Sequence, residues 1–144
     1  MKMDSMKKKK MELEEILNHP ENIKTIGLKT LFNSFLSKIK NKIENYIGDY
    51  PTFIEPVFLE DNVKIGDDVL LGPNVFIGTN SEIGNYVEIS NSIVFENVKI
   101  GENLKFENCI ILKNSVFNFS NLRLKNCILK GISNSEDNIK KIQF

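Results

Sequence analysis

Few side chains in this sequence are of the types that do chemistry. The 144 residues hold one histidine, His19, and two cysteines, Cys109 and Cys127. An imidazole is the commonest general base, but His19 stands directly before Pro20, where a loop or helix end is expected rather than a base held against a substrate. The cysteines recur in Asn108-Cys-Ile-Ile-Leu112 and Asn126-Cys-Ile-Leu-Lys130, with Ser92 in the matching Asn91-Ser-Ile-Val-Phe95. Residues that return in equivalent settings belong to a repeat, so both thiols are expected to be small corner fillers that stay free. One histidine without clustered ligands does not make a metal site. No catalytic, metal or cofactor-binding residue is expected.

The repeat itself is legible upstream. An aliphatic or aromatic residue returns every sixth position at Phe53, Leu59, Ile65, Leu71, Ile77, Ile83, Ile89 and Phe95. Most are preceded at a distance of two by another apolar residue, with Ser81 the polar substitute. Each unit offers three residues alternating in, out, in, such as Val63-Lys64-Ile65, followed by a corner. Asn62, Asp68, Asn74 and Asn80 stand before the next strand, and these residue types tolerate a left-handed backbone. Three strands closing one triangular turn give coils of about eighteen residues. Spacings of seventeen and eighteen residues among the three Asn-led segments carry the coils on to about residue 130.

This pattern resembles the hexapeptide-repeat family, in Ile65-Gly-Asp-Asp-Val69 and Leu71-Gly-Pro-Asn-Val75. The resemblance implies a left-handed parallel β-helix; the general rule for parallel crossovers would favour the right hand. The expected fold is an all-β solenoid, a left-handed parallel β-helix of about four to five coils with an N-terminal α-helical appendage.

The chain divides accordingly. Residues 1–10, with the run Lys7 to Lys10, are expected to be a disordered basic tail, residues 11–50 a helical segment, 51–132 the β-helix and 133–144 a polar C-terminal tail. Leu28, Leu31, Phe32, Phe35, Leu36, Ile39, Ile43, Tyr46 and Ile47 fall at helical spacing and predict one amphipathic helix up to Gly48. Residues 1–50 carry ten Lys against seven acids, and the remainder nine basic residues against twelve acidic. Neither part is basic enough to point to nucleic acid. The absence of a signal peptide and of an apolar run of transmembrane length predicts a soluble, cytoplasmic protein without membrane partners.

Stacking the coils predicts an apolar outward face of Phe58, Phe76, Val94, Ile111 and Leu129. Two charge ladders, Lys64, Glu82, Lys99, Val116 and Leu70, Glu88, Lys105, Arg123, form the other faces. A continuous apolar stripe marks an interface. Its occupant is either another copy or the chain's own helix.

Hexapeptide acyltransferases resemble the coils, and the resemblance implies a histidine base in a cleft between subunits; here no coil holds a histidine, leaving Ser92, Cys109 or Tyr86 as substitutes. Ile65-Gly through Val75-Phe-Ile-Gly78 and Val87-Glu-Ile-Ser-Asn-Ser-Ile-Val-Phe95 look like the C-terminal β-helix of sugar-1-phosphate nucleotidyltransferases, the long glucose-1-phosphate thymidylyltransferases in particular. Upstream, Ile23-Lys-Thr-Ile-Gly27 is similar to that family's exit segment, with Ile23 and Thr25 replacing its Trp and Asp. The family's glycine-rich nucleotide loop and acidic metal ligands have no counterpart. The resemblance therefore implies a non-catalytic module, not an enzyme by itself, that assembles or regulates in sugar-nucleotide metabolism. Its expected partner is a second copy or a nucleotidyltransferase subunit. The alternatives are a hexapeptide acyltransferase and a scaffold subunit of an unrelated complex.

Overall fold

The computed structural model describes residues 5–17, 26–44, 46–48 and 50–143. His19, Pro20, Ile23 and Thr25 lie outside the described residues. The chain from Thr52 onward winds as a parallel β-solenoid whose strands stack into three sheets of five, six and five strands. One face stacks Val57–Leu59, Val75–Ile77, Ser92–Val94, Ile110–Ile111 and Cys127–Lys130. The second stacks Lys64–Ile65, Glu82–Ile83, Lys99–Ile100, Val116–Phe117 and Ile132–Ser133. The third stacks Thr52–Phe53, Leu70–Leu71, Glu88–Ser90, Leu104–Glu107 and Leu122–Lys125. Between them runs a core of aliphatic residues from Val57 to Leu129, joined by Phe106 and Phe117.

The corners are left-handed as the Asn column predicts. Asn62, Asp68, Asn74, Asn80, Tyr86, Asn91, Asn97, Asn103, Asn108, Asn114, Asn121 and Asn126 all have φ between 46° and 64°. Their amides do more than tolerate that conformation. The Asn62 Nδ2 donates to Asn80 Oδ1 at 2.7 Å, Asn97 to Asn114 at 2.9 Å and Asn108 to Asn126 at 3.1 Å. With Asn74 to Asn91 and Asn103 to Asn121, five such amide bonds tie equivalent corners of neighbouring coils, an arrangement identical stacked side chains favour.

The left-handed positions also fix the register, which differs from the expected one. The step from Tyr86 to Asn91 is five residues where earlier steps are six. That deletion falls before the strand Ser92–Val94, so Phe76 pairs with Ile93 and Ile77 with Val94. Ile93 then pairs with Ile110, and Ile110 with Ile128. A one-residue slip turns every side chain to the other side of a strand. The outward column is therefore Phe58, Phe76, Ile93, Ile110 and Ile128, while Val94, Ile111 and Leu129 point into the core. The two charge ladders keep the predicted register.

Two helices precede the solenoid, α1 (Ser5–Leu17) and α2 (Ile26–Ser37). Lys7 to Lys10 are thus helical rather than a loose tail. The predicted helix through Ile47 stops ten residues early, at Ser37. Its last apolar residues instead join an incomplete first rung: Lys42 N donates to Val57 O at 2.8 Å, and Ile47 N to Val63 O at 2.9 Å. Ile43 and Tyr46 turn onto the solenoid core. Apolar spacing of three and four fits both a helix and a coil with corners, and the unpaired edge of Val57–Leu59 decides in favour of the coil.

The C-terminal end is closed in another way. Lys140–Gln143, expected to be polar tail, forms a strand antiparallel to Cys127–Lys130, with Ile142 opposite Ile128. A terminal rung leaves its backbone groups unpaired, and this strand satisfies those of Cys127–Lys130, while Leu122–Lys125 and Ile132–Ser133 remain the last strands of their sheets.

Candidate functional site: the surfaces of the solenoid

The apolar face is covered by the chain's own helices. Leu13, Leu17, Leu28, Phe32, Phe35, Leu36 and Ile39 form one buried cluster with Phe76, Ile93, Phe95, Ile110 and Ile128. Phe76, 2% exposed, stacks on Phe58 with ring centres 5.4 Å apart and takes the edge of Phe35 at 5.3 Å. Edge-to-face and offset pairs suit the ring quadrupoles, which adds specificity to the burial.

A charged latch fastens α1 to that face. The Lys10 ammonium lies 3.2 Å from Glu60 Oε1, 3.1 Å from Glu96 Oε2 and 5.2 Å from the Phe76 ring centre. Glu60 also accepts from the Thr79 backbone at 3.0 Å, which holds the carboxylate in place. Burial by itself would lower the Lys10 pKa, but the two carboxylates outweigh it and raise it above the ordinary value. Glu14, one helical turn on, is pushed up by burial and by Glu96.

The two exposed charged faces carry ladders of ion pairs, and each borders an open groove, one lined by Glu88, Lys105 and Arg123 and the other by Lys64, Glu82 and Lys99. Lys99 pairs with Glu82 at 3.7 Å, Lys105 with Glu88 at 2.6 Å and Lys125 with Glu107 at 3.5 Å, all of them well exposed. Such pairs contribute about 0–1 kcal/mol each. Among the described residues no three His, Cys, Asp or Glu side chains group as metal ligands. No described helix is long and apolar enough to cross a membrane.

Of the substitute bases for acyl transfer, Ser92 and Cys109 stack on neighbouring rungs, the Cys109 N–H donating to Ser92 Oγ at 3.0 Å, and both are sealed from substrate. Ser92 and Cys109 are fully buried in the core column, Ser92 Oγ donating to Ser90 O at 2.7 Å. Tyr86 sits on an outer corner, more than half exposed. None reaches a cleft shared with another.

Among the described residues, large apolar side chains are exposed singly at Met11, Tyr86 and Ile132, and they cluster at the N-terminal end of the solenoid. Ile47 is 53%, Tyr50 95% and Ile54 46% exposed, and they flank the partly buried Tyr46 and Phe53, whose rings meet at 5.5 Å. The bonds of this rung run to the coil above: Thr52 N donates to Val69 O and Ile54 N to Leu71 O. Successive residues of a parallel strand bond opposite neighbours, so Phe53 turns its N–H and C=O away from the solenoid. Sequence reasoning missed this surface because it assigned residues 28–47 to a helix. The signal was the exposed pair Tyr50 and Ile54 beside Pro51, apolar residues outside the sixfold column.

A triangular solenoid with an amide-laddered corner column and a helical cover is a β-helix domain of the hexapeptide type. The model of the GMPPB C-terminal domain family matches residues 53–138, more than half of the chain. The chain belongs to that family, the left-handed β-helix type found at the C-terminus of sugar nucleotidyltransferases. No curated protein and no solved structure matches the chain.

Proposed function

We propose that this chain is a non-catalytic β-helix module that assembles or regulates an enzyme of sugar-nucleotide metabolism, acting through the open N-terminal end of its solenoid. Its partner is a sugar-1-phosphate nucleotidyltransferase subunit or a second copy of the chain. The observation that carries this reading is the family match, which lies on the solenoid itself and names a domain of that enzyme class. The asymmetry of the ends supports the choice of surface. At the C-terminal end Lys140–Gln143 pairs with one strand of the last rung and Ile132 is exposed by itself, and α1 and α2 cover the apolar face, whereas Ile47, Tyr50 and Ile54 are exposed together at the N-terminal end. An unpaired strand edge rimmed by large apolar side chains accepts another strand edge.

The test is retention of enzyme activity. The tagged chain, purified from its own cells under mild conditions, is assayed for pyrophosphate release from nucleoside triphosphate and sugar 1-phosphate. Co-eluting activity that is lost with Ile47→Glu combined with Tyr50→Glu supports the reading. Absence of activity from a chain that also stays monomeric at all concentrations overturns it.

A further inference from the structure

Cys109 and Cys127 are fully buried and occupy the same place on neighbouring rungs, because Ile110 pairs with Ile128 beside them. Both are free thiols, with sulfurs 3.7 Å apart. Adjacent strands stand about 4.8 Å apart, inside the range of Cα separations of about 4.4–6.8 Å that a disulfide bridges. Closure brings the sulfurs from 3.7 Å to about 2.05 Å across a rung spacing that such a bond spans.

Their surroundings differ in a way that gives each sulfur its own part. Cys127 lies on the last rung, covered at that end by Lys140–Gln143, and pairs with Gln143. Lys140, Lys141 and Gln143 are all exposed, so this strand stands between Cys127 and solvent at that end. Hydrogen bonding from Cys109 lowers the Cys127 pKa, burial opposes this, and the Lys141 ammonium adds to the lowering. Cys109 sits one rung deeper, its thiol 3.4 Å from the Glu107 and Leu124 carbonyls. Hydrogen bonding to Cys127 and then burial push its pKa up. Cys127, on the last rung, is the sulfur an oxidant entering at that end meets first, so Cys127 attacks and Cys109, one rung deeper, resolves.

We propose that Cys109 and Cys127 are an oxidation site, a dithiol that a small-molecule disulfide converts into a bond stapling the last two rungs. The Cys127 thiolate attacks one sulfur of the oxidant and expels the other as a thiolate, giving a mixed disulfide. Cys109 then loses its proton to the expelled thiolate and attacks Cys127 Sγ, expelling the second small thiol. Two protein thiols and one disulfide become one protein disulfide and two small thiols, with two electrons passing from the protein to the oxidant. Entry is through separation of Lys140–Gln143 from Cys127–Lys130.

The experiment treats the folded full chain with oxidised glutathione, then quenches with acid, alkylates and weighs the intact protein. The wild type is expected to lose about 2 Da and to refuse two alkyl groups. Its thermal midpoint is expected to rise, because the bond closes a loop in the unfolded chain. Cys109→Ser places in this column the residue that Ser92 already supplies one rung earlier, and it is expected to hold one glutathione on Cys127. Cys127→Ser is expected to leave Cys109 unmodified. Ile142→Glu, which weakens the covering strand, is expected to speed closure about tenfold by raising the open population. Two thiols that stay fully alkylatable on unfolding after long exposure to the oxidant overturn the site. Glutathione held on both cysteines without closure overturns it too, and an unchanged rate in Ile142→Glu overturns the entry route.

Discussion

Replacing Phe76 by alanine tests the packing of the two helices on the solenoid. Phe76 is buried to 2% exposure, stacked on Phe58 and met edge-on by Phe35. Deleting a buried phenylalanine costs about 3–5 kcal/mol, transfer and cavity together. The ring pairs add about 0.5–1.5 kcal/mol beyond area. Phe58 is only partly buried, which lowers its share, so a loss of about 4 kcal/mol is expected in urea unfolding followed by circular dichroism. Phe76→Leu, which keeps most of the apolar volume, is expected to lose about 1.5 kcal/mol. In the double variant with Phe35→Ala the losses should fall short of additive by about 1 kcal/mol, since the two rings touch only through α2 docking. A loss under about 1 kcal/mol together with a fall in particle mass would refute the reasoning. The face would then be a subunit contact, with the helices elsewhere.

Other expectations follow from the same contacts. Lys10→Met leaves Glu60 and Glu96 facing an apolar side chain and is expected to cost about 1–2 kcal/mol at neutral pH, reduced from a fully buried pair because the carboxylates are partly exposed. The folded Lys10 pKa is raised, so its contribution is complete below the unfolded value of 10.5 and is lost as pH climbs through the folded value; the gap between wild type and Lys10→Met should close in that alkaline window and hold steady from there down to neutral pH. Glu14 has a raised pKa, so the fold favours its neutral form, and stability from it falls as pH rises above 4.5. Glu14→Gln should therefore raise the unfolding free energy at pH 7 by about 0.5 kcal/mol after allowing for its exposure, and leave it unchanged near pH 3. Gly84→Ala would set a Cβ 2.6 Å from Gly101 O and 2.8 Å from Ile100 O, forcing two rungs apart at a cost of about 2 kcal/mol in urea unfolding. Asn97→Ala, at φ 60° and donating to Asn114, is expected to cost about 1–2 kcal/mol, with Asn97→Gly recovering the backbone part.

The coil period was legible because each rung must bury the same two positions, and the corner asparagines were legible because few residues accept a left-handed backbone. Those two signals give the solenoid, both charge ladders and the equivalence of Ser92, Cys109 and Cys127. The outward column was half read. Counting from the sixfold aliphatic series carries Val94, Ile111 and Leu129 outward, whereas the asparagine column, with Asn91 directly before the inward Ser92, places Ile93, Ile110 and Ile128 there. At a five-residue corner the backbone conformation, not the count, sets which way a side chain turns. The helix end at Ser37 and the strand Lys140–Gln143 were hidden for a different reason. Both are decided by unpaired rung edges, which belong to the assembled solenoid and leave no periodicity in the segments that cover them.

The most direct test of the account is the solution mass by light scattering across a range of concentrations, for the wild type and for Ile47→Glu combined with Tyr50→Glu. An assembly module acting through its open N-terminal end is expected to be an oligomer that the two charges reduce to monomers, with the urea midpoint unchanged because both residues are exposed. An oligomer whose mass ignores those charges, or a chain that is monomeric throughout and retains no nucleotidyltransferase activity, would contradict it.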